Sequence, residues 1–180
     1  MSYALSPWPP FTARACDADP ALWAELYPYS MAGEHFDGQW ARLEAAAAAG
    51  SAIPFAVVAS GVCVGMTSYM AIEPEHRAVE IGRTYYAPDR RGGAVNPAAK
   101  SLLLANAFAR GANRVQFRVD AINGRSRAAV LKLGAVQEGI ARQDRITWTG
   151  RVRDSVVFSI LASEWPAVRA RLDERLAALA

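Results

Sequence analysis

A chain of 180 residues, 52% hydrophobic and 21% charged, is long enough to bury a core as one domain over 1–180 and is far from the composition of a disordered chain. Its formal charge of +3 comes almost entirely from arginine, and no aromatic-rich basic strand accompanies it, so no nucleic acid is expected as a partner. The two cysteines, Cys16 and Cys63, lie far apart and lack CxxC or Cys/His spacing; this suggests neither a disulfide framework nor a metal site and fits a reduced, cytoplasmic chain.

The stretch Met1 to Pro10 has neither a basic start nor an apolar run, which reads against a signal peptide. No window reaches the about 20 apolar residues of a membrane span, so no membrane partner is expected. A helix is expected from near Gln39 through the alanine run Ala45–Ala49, stopped by Gly50. Ile53–Ala59 and Val62–Met70 read as strands joined at Ser60-Gly61 by a tight hairpin. A third strand, Ala78–Tyr86, follows the Glu73–His76 turn, ends before Pro88 and is expected in the middle of the sheet.

Ala98–Arg110 is the clearest helix, with a wide apolar face and Gly111 closing it. Arg114–Asp120 alternates Val115, Phe117 and Val119 against polar neighbours, the period of a half-buried strand. A helix from Gly124 to Leu133 ends at Gly134, and strand-like runs follow at Ala135–Ile140 and Ser155–Leu161. Ser163 is expected to cap a last helix, with Pro166 in its first turn. A meander of strands followed by alternating helices and strands makes this an α/β fold, a mixed sheet covered by helices.

The segment Glu80–Lys100 runs strand, glycine- and arginine-rich turn, helix, an order that builds an anion site from free N–H groups at a helix N-terminus. Arg90, Arg91 and Lys100 would add charge. Neither familiar nucleotide loop fits: Ala99 stands where a P-loop needs glycine, and Gly92-Gly93 does not extend to G-x-G-x-x-G. ATP and NAD are therefore disfavoured. A plain surface turn, its glycines merely permitting the bend, explains the segment equally well on its own.

Further along stand Asn123, Ser126, Lys132-Leu-Gly-Ala135 and Glu138-Gly139. Taken in order with Glu80-Ile-Gly82 and Arg91-Gly-Gly-Ala-Val-Asn96, they resemble the GCN5-related N-acetyltransferase (GNAT) superfamily over most of the chain. The likeness is nearest to the branch containing ribosomal-protein N-terminal acetyltransferases.

The resemblance implies a splayed, mostly antiparallel sheet with acetyl-coenzyme A as donor. It places the pantetheine arm along Thr84, Tyr85 and Tyr86, with Asn123 hydrogen-bonding it. The pyrophosphate falls on Arg91, Gly92, Gly93, Ala94, Val95 and Asn96, with Lys100 adding charge. Two positions depart from the family pattern: Asp89 replaces the leading Gln or Arg of the loop, and Val130 stands where a tyrosine acid is common.

Ser126 matches a serine that some members of that branch are thought to use as general acid; it reads also as a helix N-terminal residue bonded to backbone. The base is not fixed. The acidic residue of some relatives falls at Arg145, beside Asp144. Glu80 is a candidate and equally a salt-bridged carboxylate; Glu138, Asp144 and Asp154 share that ambiguity. His35 and His76 read as surface residues. The aromatic stretch Trp23 to Trp40 lies, by resemblance, over the acceptor, or else is ordinary core.

The expected reaction is direct attack by a primary amine, a protein N-terminus or a small molecule, in a ternary complex, because neither cysteine has an activating partner. The alternative is a non-catalytic acyl-coenzyme A binder or sensor, prompted by Asp89, Val130 and the unassigned base. A homodimer is a further expectation, since dimers are common among similar proteins.

Overall fold

The computed structural model describes residues 3–7 and 13–179, so residues 1, 2 and 8–10 of the N-terminal stretch lie outside the described residues. The described chain runs β1 (Tyr3–Pro7), α1 (Ala13–Asp17), α2 (Pro20–Leu26), a 3-10 turn (Gly33–His35), α3 (Phe36–Ala48), β2 (Ala52–Ala59), β3 (Val62–Glu73) and β4 (Ala78–Tyr86). A second 3-10 turn (Pro88–Arg90) leads to α4 (Val95–Ala109), β5 (Arg114–Asp120), α5 (Gly124–Leu131), β6 (Val136–Ile146), β7 (Val152–Leu161) and α6 (Trp165–Ala177). The strands form one sheet in the order β1-β2-β3-β4-β5-β7-β6. Every pairing is antiparallel except β4 with β5.

The β2–β3 hairpin turns through Ser60 at φ 50° and Gly61 at φ 80°, both left-handed, which matches the twist of the strands they join. β4 takes the middle position of the sheet, as expected. It pairs with β5 only over Ala78–Glu80 against Arg114–Gln116, and beyond Glu80 the two strands part.

On the other edge of β4, Arg83 and Thr84 together oppose the single Thr67 of β3. Arg83 takes φ 50° there, so β4 is bulged where it separates from β5.

Alternation along β4, β5 and β7 sends Ile81, Val115, Phe117, Val119, Phe158 and Ile160 toward α4 and α6, where they meet Leu103, Leu104, Leu133, Val168 and Leu172. Each such side chain contributes roughly 1.5–3 kcal/mol when fully buried, so this layer dominates the stability. A smaller layer on the opposite face packs Cys16, Trp23 and Met31 against Met66 and Tyr85. It covers one end of the sheet and leaves the polar face of β5 and β7 open.

Several details depart from the sequence reading. α3 and α4 each begin three residues earlier than expected, with Pro97 accommodated in the first turn of α4. α5 ends at Leu131, two residues sooner than expected. β6 and β7 extend to Ile146 and back to Val152, beyond the apolar runs that mark them. Ser163 is not the cap of α6: Glu164 occupies that position without a side-chain capping bond, and its carboxylate instead accepts the Leu161 N–H at 2.9 Å.

Candidate functional site

Where β4 leaves β5, a cavity of about 710 Å³ opens through the sheet. It reaches from the start of α4 and α5 to the polar face of β5 and β7. That volume suits a small-molecule ligand.

At the α4 end the backbone offers donors. Ala94 holds the N-cap position with no side-chain bond, and the first turn has no acidic residue. The N–H groups from Gly92 to Asn96 have no protein acceptor among the described residues. Gly92 sits at φ 85°, and a Cβ at Gly92 or Gly93 would meet nothing within 4 Å, so the turn lies open for a ligand to approach. An uncapped N-terminus with an open glycine turn fits a phosphate group.

The arginines beside it are less free than the sequence suggests. Arg91 turns inward: Nη1 pairs with Asp19 at 2.5 Å, Nε donates to the Tyr86 carbonyl at 2.9 Å, and the guanidinium lies over the Tyr85 ring. Its Nη2 is buried with no partner among the described residues. Arg90 pairs with Asp89 at 3.0 Å on the surface.

Thr84 and Tyr86 stand along the parted edge, their carbonyls accepting from the Tyr27 hydroxyl at 2.5 Å and from Arg91. Each carbonyl keeps a second lone pair for a ligand. Tyr85 faces the other way, stacked on Trp23 at 4.7 Å with its hydroxyl on the Ala15 carbonyl.

Asn123 is the N-cap of α5, its side-chain oxygen accepting the Ser126 N–H at 3.0 Å, which leaves the amide nitrogen available. Ser126 and Val130 both line the cavity. The Ser126 hydroxyl has no hydrogen-bond partner among the described residues, so it is free to bond a ligand even though the backbone bond anticipated for this residue also forms.

Lys100 is not where the sequence reading puts it. Instead of facing a phosphate from the helix surface, it is 4% exposed and points into the sheet. Its amine donates to Thr84 Oγ1 at 2.5 Å and Thr67 Oγ1 at 3.0 Å. Burial without a paired carboxylate pushes its pKa down to about 7.

Of the acidic candidates, Glu80 alone lines the cavity, 5% exposed. Burial raises its pKa, opposed by Arg145, Arg118 and Arg153. Glu138 is turned away, bound by Arg114 and by the Ser159 hydroxyl at 2.8 Å, which holds its pKa down to about 2. Asp144 pairs with Arg118 and Arg145, and Asp154 accepts the Gln143 N–H. Sequence reasoning missed Asp120, the last residue of β5, which lines the cavity 2% exposed and pairs with Arg151 at 2.5 Å. Nothing in the local sequence marks it.

The aromatic stretch divides between core and cavity. Trp23 is buried away from the cavity, whereas Tyr27 and Tyr29, with the buried Met31, line the opening. Trp148, from the β6–β7 turn, pins the segment by donating to the Trp23 carbonyl at 3.0 Å.

His35, His76, Cys16 and Cys63 do not line the cavity, and burial pushes the Cys16 thiol up to about 12. No helix of the described residues is long and apolar enough to cross a membrane.

A family model described as an acetyltransferase (GNAT) domain matches residues 6–136. A solved structure named only as an acetyltransferase is 36% identical, with a TM-score of 0.85 over 97% of this chain and 90% of that one. A GCN5-related N-acetyltransferase from Brucella melitensis is 27% identical, with a TM-score of 0.84 over 97% of this chain and 82% of its own. Mycobacterium smegmatis RimJ, solved with CoA-disulfide, is 25% identical, with a TM-score of 0.78 over 93% of this chain and 83% of its own. No curated protein matches the chain.

Proposed function

Because the chain belongs to the GNAT acetyltransferase family, with acetyl-coenzyme A as its donor, we propose that it acetylates a primary amine by direct attack in a ternary complex. The observation that carries this reading is the single opening between β4 and β5. It joins an uncapped helix N-terminus on one side to a buried carboxylate, Glu80, on the other. Donor and amine can thus meet from opposite faces of the sheet without exchanging places.

Acetyl-coenzyme A supplies an activated thioester carbonyl. In this reading Gly92 to Asn96 hold its pyrophosphate with their free N–H groups. The parted edge of β4 at Thr84–Tyr86 and the free amide nitrogen of Asn123 hold the pantetheine arm. Lys100 plays no direct part in that grip; tied to Thr67 and Thr84, it fixes the bulge that keeps β4 away from β5.

The acceptor nitrogen must lose a proton, and the departing sulfur must gain one. Glu80 receives the first, its burial making it a stronger base than an exposed carboxylate. The Ser126 hydroxyl donates the second, the role left open by Val130. With Cys16 buried and protonated and both cysteines outside the cavity, neither thiol is placed to carry the acetyl group itself.

Thiol release measured against a broad panel of amines tests the reading. Release that depends on both enzyme and amine, matched by acetylated amine, is expected. Tight acetyl-coenzyme A binding with no release for any amine would contradict it and favour the non-catalytic binder.

A further inference from the structure

Resting on that reading, the polar face of the sheet is where the acceptor stands, and its side chains carry information on what the acceptor is. Phe117 and Val119 of β5 point to the α4 layer, so Arg118 and Asp120 between and beyond them point the other way. They cannot serve phosphates held at the α4 N-terminus.

On this face four arginines share two aspartates. Arg118 and Arg145 both pair with Asp144, while Arg151 and Arg153 both approach Asp120, at 2.5 and 3.6 Å. Glu80 is the third acid, and burial disfavours its charge. Arg83 lines the cavity beside Arg118, Arg145 and Arg153 and has no ion-pair partner among the described residues. It is held at φ 50° by the bulge, a conformation that costs a non-glycine residue free energy.

Hydrogen bonding shows the same imbalance. The Tyr29 hydroxyl and Arg118 Nε are buried without a partner among the described residues. Arg83 and Arg153 both act on Tyr29, so two cations stand around that orphan hydroxyl. Arg153 is already engaged, its Nε donating to Ser155 Oγ at 3.1 Å, whereas Arg118 Nε and the Tyr29 hydroxyl keep donor capacity for an acceptor.

We infer that the acceptor bears an anionic group, a carboxylate, close to its reacting amine, and that Arg83, Arg118 and Arg145 hold that group. A carboxylate is an acceptor only, with about four lone-pair sites, and removes both the charge excess and the donor excess. A protonated polyamine brings further positive charge and further donors, and is disfavoured on both counts. The carboxylate can belong to a free amino acid or to an acidic residue beside a peptide N-terminus.

The test compares free amino acids with their carboxamides, peptides with acidic and with amidated second residues, and spermidine. Rates are corrected for the fraction of free amine. In parallel, binding of the same compounds to the desulfo-coenzyme A complex is measured by calorimetry. Carboxylate members of at least one pair should be preferred by about tenfold or more, the scale of a lost charge-assisted hydrogen bond. The pair that shows the preference identifies the source.

Arg145 is 45% exposed and tolerates change, so Arg145→Gln should remove most of the preference and Arg145→Glu reverse it, with the thermal midpoint kept. Equal use and equal binding of carboxylates, amides and spermidine would overturn the inference. No turnover with the carboxylate preference preserved in binding would overturn the proposed reaction and leave the anion site standing.

Discussion

Lys100 on α4 donates a 2.5 Å hydrogen bond to the Thr84 hydroxyl at the bulge of β4, where no carboxylate balances its charge. Its pKa lies near 7 in the fold, against an ordinary 10.5. Below about pH 7 the amine is charged in both folded and unfolded chains and adds no pH dependence. Between the two values the unfolded chain binds a proton that the folded chain does not, so stability rises with pH, by up to about 1.4 kcal/mol per unit. The thermal midpoint should therefore rise from pH 7 to 9, and Lys100→Met should flatten that rise without lowering the midpoint at pH 7. An identical pH response in the variant would show that the amine is not the group responsible.

Gly65 on β3 lies against the end of β4. A Cβ there would collide with the Tyr85 carbonyl and stand 2.5 Å from Tyr86 Cδ1, where backbone has to move. Gly65→Ala should cost about 1–3 kcal/mol and raise KM for acetyl-coenzyme A. Gly93→Ala, which meets open space at an ordinary φ, serves as its control and should leave the midpoint unchanged. Equal midpoints for the two variants would contradict the close packing at the strand end.

Ser126 and Asn123 sit together at the start of α5, yet their substitutions should separate. Ser126→Ala is expected to lower kcat by about a hundredfold with little effect on KM for acetyl-coenzyme A, as for loss of a general acid. Asn123→Ala should instead destabilise the fold by about 1 kcal/mol through the lost cap, and raise that KM. Steady-state kinetics and thermal melts of both variants make the check; an unchanged kcat in Ser126→Ala removes the hydroxyl from the mechanism.

Glu80 must be ionised to accept a proton, and burial raises its pKa above the ordinary carboxylate value. The rate should accordingly fall as pH drops through that raised pKa. Glu80→Gln should lower kcat by about a hundredfold and erase this acid limb of the pH profile. A limb that survives in the variant assigns the ionisation to another group.

The middle of the fold is legible because its signals are local. β5 alternates cleanly, β4 and β5 end where expected, and the β2–β3 turn is set by two adjacent left-handed residues. The outer parts depend on distant partners. β1 is five residues long and is defined by pairing with β2, about fifty residues away in sequence. β6 loses its period at Gln143, where φ 50° and a register shift break the alternation that would have revealed residues 141–146.

Within the site, the open turn at Gly92-Gly93 and the cap at Asn123 follow from residue type. The burial of Lys100 does not. A lysine early in a helix after a glycine turn reads as a phosphate ligand, and only Thr67 and Thr84, brought in from two strands, give its amine an inward partner. Asp120 is hidden for the same reason, since the arginines that hold it arrive from β7 and the turn before it.

The most direct measurement uses acetyl-coenzyme A labelled in the acetyl group, incubated with the protein alone and then with an amine that supports thiol release. Direct attack predicts no label on the denatured protein in either case, and label on the amine in amounts equal to the thiol released. Label retained by the protein without amine and chased onto the amine afterwards would contradict the account and require an acyl-enzyme.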